Sequence, residues 1–240
     1  MNTLLITGAS RGVGRALALA CAGSGKYSKI ILAGGSDTAA LEETSRLVSS
    51  AGDLLCVSGP GDAGDLSFVE SLRRDFGPVN VLINNASVSW TGLLTDMRPE
   101  EWDALMRTNL TALYNTCHTF VPDMVHAQGG KILNISSVWG ICGASCEVAY
   151  SASKGAVNAF TRALARELAP SHIQVNALAP GIVDTRMNAH LSEKETAEII
   201  SQIPAGYIAS PEEVAEAAMR LLDMPEYFNG EVVRLDGCWT

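Results

Sequence analysis

Tyr150 and Lys154 stand four residues apart, the spacing that brings two side chains onto one face of a helix. A tyrosine alone titrates near 10 and is a poor proton-transfer partner at neutral pH. A nearby ammonium favours its phenolate, and so does the positive ring of an oxidised nicotinamide. Bringing such a tyrosine toward neutrality corresponds to roughly 3–4 kcal/mol of differential stabilisation. The same pair also recurs on ordinary helix surfaces, so its neighbourhood decides its meaning. Ser137, thirteen residues earlier, closes the stretch Asn134-Ile135-Ser136-Ser137 at the end of an apolar run. Its hydroxyl could hydrogen-bond a carbonyl oxygen as charge develops there. A serine in that position is equally consistent with a simple turn.

A second group of residues could bind phosphate. Thr7-Gly8-Ala9-Ser10-Arg11-Gly12-Val13-Gly14 follows the first apolar run and opens a helical pattern. Between a strand and a helix, such glycines allow a tight turn, a close approach of backbone to a pyrophosphate, and close helix packing. The helix N-terminus then offers N–H groups and the positive end of its dipole. The second apolar run ends in Leu32-Ala33-Gly34-Gly35-Ser36, with no acid to hold a ribose 2′-OH; the first acid, Asp37, falls in the following loop. A 2′-phosphate would meet no repulsion there, and Arg11 and Ser36 could reach it. NADP(H) is favoured on these grounds, with NAD(H) left open.

The elements that must position these groups alternate along the chain. Strands are expected at residues 3–7, 29–33, 54–58, 79–84, 131–136, 174–179 and 231–236. Helices are expected at 12–24, 38–51, 66–76, 100–127, 151–169 and 211–222. Strand-helix alternation of this kind builds a parallel sheet covered on both faces. The fold expected is therefore α/β, a single doubly wound Rossmann-type domain over residues 1–240 with a seven-stranded parallel sheet. Val157, Phe160, Leu164 and Leu168 recur at helical steps after Tyr150 and predict a core-facing stripe.

Composition narrows the function classes. A net charge of −9 argues against nucleic acid or an anionic membrane as a partner. No apolar run approaches the roughly 18 residues of a membrane span, and the short segment Leu4–Ile6 makes no secretory leader. A cytoplasmic location is the simplest expectation. The six cysteines show neither a CxxC pair nor zinc spacing, which predicts no metal and reduced, mostly buried thiols.

Taken together, TGASRGVG at 7–14, Asn84-Asn85-Ala86, Asn109, Ser137, Tyr150/Lys154 and Pro180-Gly181-Ile182-Val183-Asp184-Thr185 resemble the short-chain dehydrogenase/reductase family from end to end. The resemblance implies that Tyr150 gives a proton to a carbonyl oxygen that Ser137 orients. Lys154 would hold the nicotinamide ribose and lower the tyrosine pKa. Asn109, inside a long helix, would hold a water linking Lys154 to solvent. Gly8, Ser10, Arg11, Gly12, Val13 and Gly14 would cradle the cofactor. Asn85 and Ala86 would line its adenosine side, and Pro180, Gly181, Ile182 and Thr185 its nicotinamide end. The family's Asn-Asn-Ala-Gly reads Asn-Asn-Ala-Ser here, and Ser87 is expected to tighten backbone approach near the cofactor. The adenine contact after the third strand is displaced, with Asp62 as its candidate. The family also implies a homotetramer.

Within that family the chain is similar to 3-oxoacyl-thioester reductases. Through Trp139-Gly140, Gly143–Val148, Leu93–Met97 and the terminal Asp-Gly-Cys-Trp-Thr, it also looks like bacterial reductases of a 5-aminopentanone group on elongation factor P. The substrate expected is thus a small or protein-attached ketone. Places where an acyl-carrier reductase would carry basic residues read His126-Ala127-Gln128-Gly129-Gly130 and Pro170-Ser171-His172, with Lys131 alone nearby, whereas Glu147 could attract an amine. A dinucleotide-sensing protein without turnover is the non-enzymatic alternative; an intact Ser, Tyr, Lys and Asn set argues against it.

Overall fold

Alternating apolar residues in each strand send neighbouring side chains into two different cores. Leu4, Ile6, Ile30 and Leu32 enter one, while Leu5, Ile31 and Ala33 enter the other. A computed structural model describes residues 2–35, 37–189 and 191–240. It shows strands β1 (Thr3–Thr7), β2 (Lys29–Gly34), β3 (Leu55–Pro60), β4 (Val81–Asn84), β5 (Gly130–Ile135), β6 (Ile173–Pro180) and β7 (Val232–Leu235). They form one sheet in the order β3-β2-β1-β4-β5-β6-β7, and every pairing is parallel.

Helices α1 (Gly12–Gly23), α2 (Thr38–Ala51) and α9 (Pro211–Leu222) cover the face that buries Leu17, Leu41, Val48 and Val214. On the other face lie α3 (Leu66–Phe76), α5 (Ala112–Ala127) and α7 (Val148–Leu168), which contribute Val69, Leu72, Phe120, Val157 and Leu168. Each such large side chain, fully withdrawn from water, stabilises the fold by about 1.5–3 kcal/mol. The stripe expected after Tyr150 is this packing face, with Phe160 and Leu164 at its edge.

The sequence of strands reverses between β1 and β4. Open parallel sheets bind ligands in the crevice outside the carboxyl ends of their strands at such a point. The glycine loop leaves β1 there, and the Asn85–Ser87 loop leaves β4 beside it.

Three departures bear on function. The helix expected over residues 100–127 is divided into α4 (Pro99–Met106), a π-helical turn (Arg107–Thr111) and α5. Single π turns of this kind mark places where a side chain is pulled out of regular register, and Asn109 sits inside this one. The helix of Tyr150 starts at Val148, three residues earlier than expected, so Tyr150 lies in its first turn. Two further helices, α6 (Trp139–Cys142) and α8 (Glu193–Gln202), were not anticipated. The capping box of Ser192 and Glu195 announces α8, but α8 buries no residue that would have shown as an apolar stripe.

The cysteines are free, but only Cys21 and Cys117 are buried, while Cys142 and Cys238 are exposed. The expectation of mostly buried thiols is thereby corrected: Cys142 ends a short helix (Trp139–Cys142) and Cys238 lies three residues from the last residue of β7, both open to water. Among the described residues no helix is long and apolar enough to cross a membrane, and no cluster of three or more His, Cys, Asp or Glu could hold a metal ion.

Candidate active site

Thr7, the last residue of β1, locks the two loops of the crevice together. Its Oγ1 accepts hydrogen bonds from Asn85 N at 3.0 Å and Ala86 N at 3.1 Å. Asn85 Nδ2 returns two bonds, to Thr7 O and Gly8 O, each at 3.1 Å. Glycine is required in this cradle. Gly8 has a φ of +66°, and a Cβ there would stand 2.8 Å from Ala86 Cα. At Gly14 a Cβ would stand 2.1 Å from Gly8 O. The first turn of α1 receives no side-chain cap from Arg11, so its N–H groups face the crevice unclaimed by a cap.

The crevice is a cleft of ≈ 990 Å³, near the upper end of the roughly 300–1,000 Å³ of small-molecule sites. Gly8, Ser10, Arg11, Gly12, Val13, Gly14, Asp62, Asn85 and Ala86 line it, as do Ser137, Tyr150, Lys154, Pro180, Gly181 and Thr185. Ile182 does not: the neighbouring Gly181 and Val183 line the cleft in its place. Ser36, named for the 2′-phosphate, lies outside the described residues. Asp62 accepts from Gly64 N at 2.8 Å and pairs with Arg107 at 3.1 Å, which fixes its carboxylate at the cleft wall. Gly35, Asp37, Ser87, Val88, Thr108 and Arg186 also line the cleft; of these Asp37 had drawn notice as the first acid after the second strand, and Ser87 as the departure from Asn-Asn-Ala-Gly.

Arg11 is engaged. It forms an ion pair with Asp37, whose carboxylate also caps α2 by accepting from Ala40 N at 2.9 Å. A phosphate bound here would have to draw the guanidinium from Asp37. No sequence pattern announces a contact between a glycine loop and a loop after the second strand.

At the other end, β5 delivers Ser136 and Ser137, and α7 delivers Tyr150 and Lys154. A buried polar ladder sets their relative height. Thr116 donates to Asn84 Oδ1 at 2.6 Å, Asn84 Nδ2 to Asn134 Oδ1 at 3.0 Å, and Asn134 Nδ2 to Thr161 Oγ1 at 2.9 Å. These bonds tie α5, β4, β5 and α7 into one unit, and Ser136 adds a bond to Asn158 at 2.6 Å. Polar residues at core positions of apolar strands were the available signal for this ladder.

Lys154 is 2% exposed, and its Nζ donates to Ile135 O at 2.8 Å while lying 5.6 Å from the centre of the Tyr150 ring. Burial lowers its pKa to about 7. Burial likewise pushes the Tyr150 hydroxyl up to about 12; the hydroxyls of Ser137 and Ser87 pull it down, and the charge of Glu147 adds to the rise. In each case desolvation of the charged form is the largest cause. The tyrosine is held neutral and can act as an acid.

Asn109 stands behind these groups rather than in the cleft wall. Its Oδ1 accepts from Val88 N at 2.8 Å, and its Nδ2 donates to Val88 O at 2.9 Å and to Ser153 Oγ at 3.0 Å. The side chain is fully committed to holding the loop after β4 against α7. Only main-chain atoms of the π turn are left for the water-holding role expected of it. Trp139 and Trp239 meet with ring centres 4.8 Å apart near Gly181.

A glycine cradle at a helix N-terminus, joined to a buried tyrosine-lysine pair at the other end of one cleft, defines a dinucleotide-binding oxidoreductase of the doubly wound class. The cradle, the uncapped helix and the cleft's extent fit a nicotinamide dinucleotide. Comparison with known proteins agrees: the family model described as short chain dehydrogenase matches residues 2–196, and the chain belongs to that family. Among its relatives, a Bacillus subtilis protein named uncharacterized oxidoreductase YmfI is 34% identical, over 99% of this chain and 98% of the relative. The 3-oxoacyl-[acyl-carrier-protein] reductase of Thermotoga maritima is 37% identical, over 97% of this chain and 95% of its own. A crystal structure of 3-oxoacyl-[acyl-carrier protein] reductase from Brucella melitensis superposes with a TM-score of 0.91 at 31% identity, covering 100% of this chain and 91% of that one.

Proposed function

We propose that this oxidoreductase reduces a ketone to a secondary alcohol with NADPH. The observation that carries the reading is the convergence of Ser137, Tyr150 and Lys154 at one end of the glycine-cradled cleft. A bound nicotinamide dinucleotide supplies hydride to the carbonyl carbon. Tyr150, neutral through burial, donates its proton to the carbonyl oxygen, and Ser137 holds that oxygen in line. Lys154, with a pKa near neutrality, returns a proton toward the tyrosine. Gly8, Ser10, Gly12, Val13 and Gly14 hold the pyrophosphate; Asn85, Ala86 and Asp62 hold the adenosine side; and Pro180, Gly181 and Thr185 hold the nicotinamide end. Arg11 binds the 2′-phosphate after leaving Asp37.

For the substrate we favour a ketone bearing an amine, such as the 5-aminopentanone group on elongation factor P. The charge of Glu147 acts on the Tyr150 hydroxyl, so its carboxylate lies close to the reacting end. A second reading, reduction of a 3-oxoacyl thioester on acyl carrier protein, is favoured by the names of several relatives. On either reading we place the enzyme in the cytoplasm as a homotetramer.

The proton donor is tested by Tyr150→Phe, which keeps the ring and removes the acid. Turnover of an activated ketone should fall at least ~100-fold, the contribution of a positioned general acid. Cofactor affinity should stay near that of the wild type. Wild-type turnover in this variant would overturn the reading.

A further inference from the structure

Ser87 carries a hydroxyl whose Oγ is withdrawn from solvent and makes no hydrogen bond of normal geometry in the resting protein, although it lies near enough to Tyr150 to pull that hydroxyl's pKa down. A buried hydroxyl without a partner is costly, by about 1–3 kcal/mol, and such a group in a cleft calls for an explanation. Ser87 lines the same cleft as Ser137, Tyr150 and Lys154. It stands where the resembling family usually carries glycine, which has no side chain to offer.

Its position is held from both sides. Ala86 N donates to Thr7 Oγ1 at 3.1 Å, and the next residue, Val88, is clamped at N and O by the Asn109 side chain. With its backbone pinned between these anchors, Ser87 can change only its side-chain rotamer. The sequence-based expectation of a steric effect on the cofactor is replaced by a different one: the serine brings a hydroxyl to the reacting centre.

We infer that Ser87 is a positioning residue for proton transfer, a second hydroxyl that donates to the Tyr150 oxygen as its proton leaves. This inference rests on Tyr150 being the acid. Ser87 lies close enough to Tyr150 to favour its phenolate, and Ser137 acts in the same direction from the other side. The charged groups facing Tyr150 are Glu147, at the N-cap of α7, and Lys154, one turn further on. The loop after β4 and the turn after β5 present hydroxyls. The hydroxyl lacks a full hydrogen bond while the tyrosine is protonated and gains a charge-assisted one as the phenolate develops, so its cost falls along the transfer. The hydroxyl thus favours the later stage of the transfer over the earlier one, as catalysis demands.

The test compares Ser87→Ala, Ser87→Gly and Ser87→Thr with Tyr150→Phe in the full-length protein. Phenolate absorbance is titrated with alkali in the presence of NADP+, and the Tyr150→Phe curve is subtracted to isolate Tyr150. In Ser87→Ala and Ser87→Gly the Tyr150 transition should move up by about one pH unit, and kcat for an activated ketone should fall about 10-fold, as loss of one hydrogen bond to a charged group predicts. NADPH affinity should be unchanged, and Ser87→Thr, which keeps the hydroxyl, should restore both properties. An unmoved Tyr150 transition in Ser87→Ala and Ser87→Gly would overturn the inference while leaving the acid intact. Wild-type turnover by Tyr150→Phe would instead sink the assignment of the acid itself.

Discussion

Arg11 and Asp37 are joined in an ion pair at the end of the cleft where a ribose 2′-phosphate would lie. Both side chains are partly open to water, 33% and 41% exposed, so the pair itself stabilises the fold little. Its consequence is for selectivity: a phosphate must draw the guanidinium away from a carboxylate that already holds it. Asp37→Asn removes that competitor while keeping a good capping residue for α2. NADPH should then bind several-fold more tightly, with NADH little changed. Arg11→Ala should weaken NADPH about 10-fold, the worth of one charge-assisted contact. Cofactor titration by fluorescence measures both. Unchanged NADPH affinity in Asp37→Asn would remove Arg11 from the phosphate site.

Lys154 is a source of instability in the cofactor-free protein. Its pKa falls from an ordinary 10.5 to about 7 because burial disfavours the charge. Below pH 7 both folded and unfolded chains carry the proton, and the folded chain bears the whole desolvation cost. Between about 7 and 10.5 the unfolded chain binds more protons, so stability rises with pH and the cost fades. Lys154→Met should therefore be more stable than the wild type at pH 6. A net gain of ~2 kcal/mol, after loss of the bond to Ile135 O, would raise Tm by ~4–8 °C. By pH 9 the advantage should shrink to roughly half or less. Thermal unfolding without cofactor at the two pH values decides it, and equal gains at both would refute the account.

Lys131 and His172 stand at the amino ends of β5 and β6, the places where an acyl-carrier reductase would carry basic residues. Lys131 donates its Nζ to Leu222 O, and His172 pairs with Glu226 at 2.7 Å. Neither is set out to meet an acidic carrier protein, which a docking reductase would greet with free cations. Acetoacetyl carrier protein should therefore be a poor substrate whose reduction depends weakly on salt. A ketone with a nearby amine should be better, and Glu147→Gln should weaken activity on it selectively. Efficient, salt-sensitive reduction of the carrier-bound substrate would return the enzyme to the second reading.

The residue sequence alone determined the sheet and the local spacings within the site. Continuous apolar runs such as Leu4-Leu5-Ile6 mark a strand buried on both faces. The i, i+4 spacing of Tyr150 and Lys154 is local, so it was legible before any long-range contact was known. Glycines at 8, 12 and 14 likewise announce their turn, because no other residue fits it. What the sequence left open was decided between elements far apart in the chain. Asn109 leaves the helix register because Val88 and Ser153 claim its amide, Arg11 loses its freedom to Asp37, and burial keeps the Tyr150 proton in place. Each outcome depends on distance and desolvation, and neither quantity is written into a linear pattern. Ser87 shows the same division: one letter departs from a family pattern, and only the folded chain reveals a buried hydroxyl beside the proton donor.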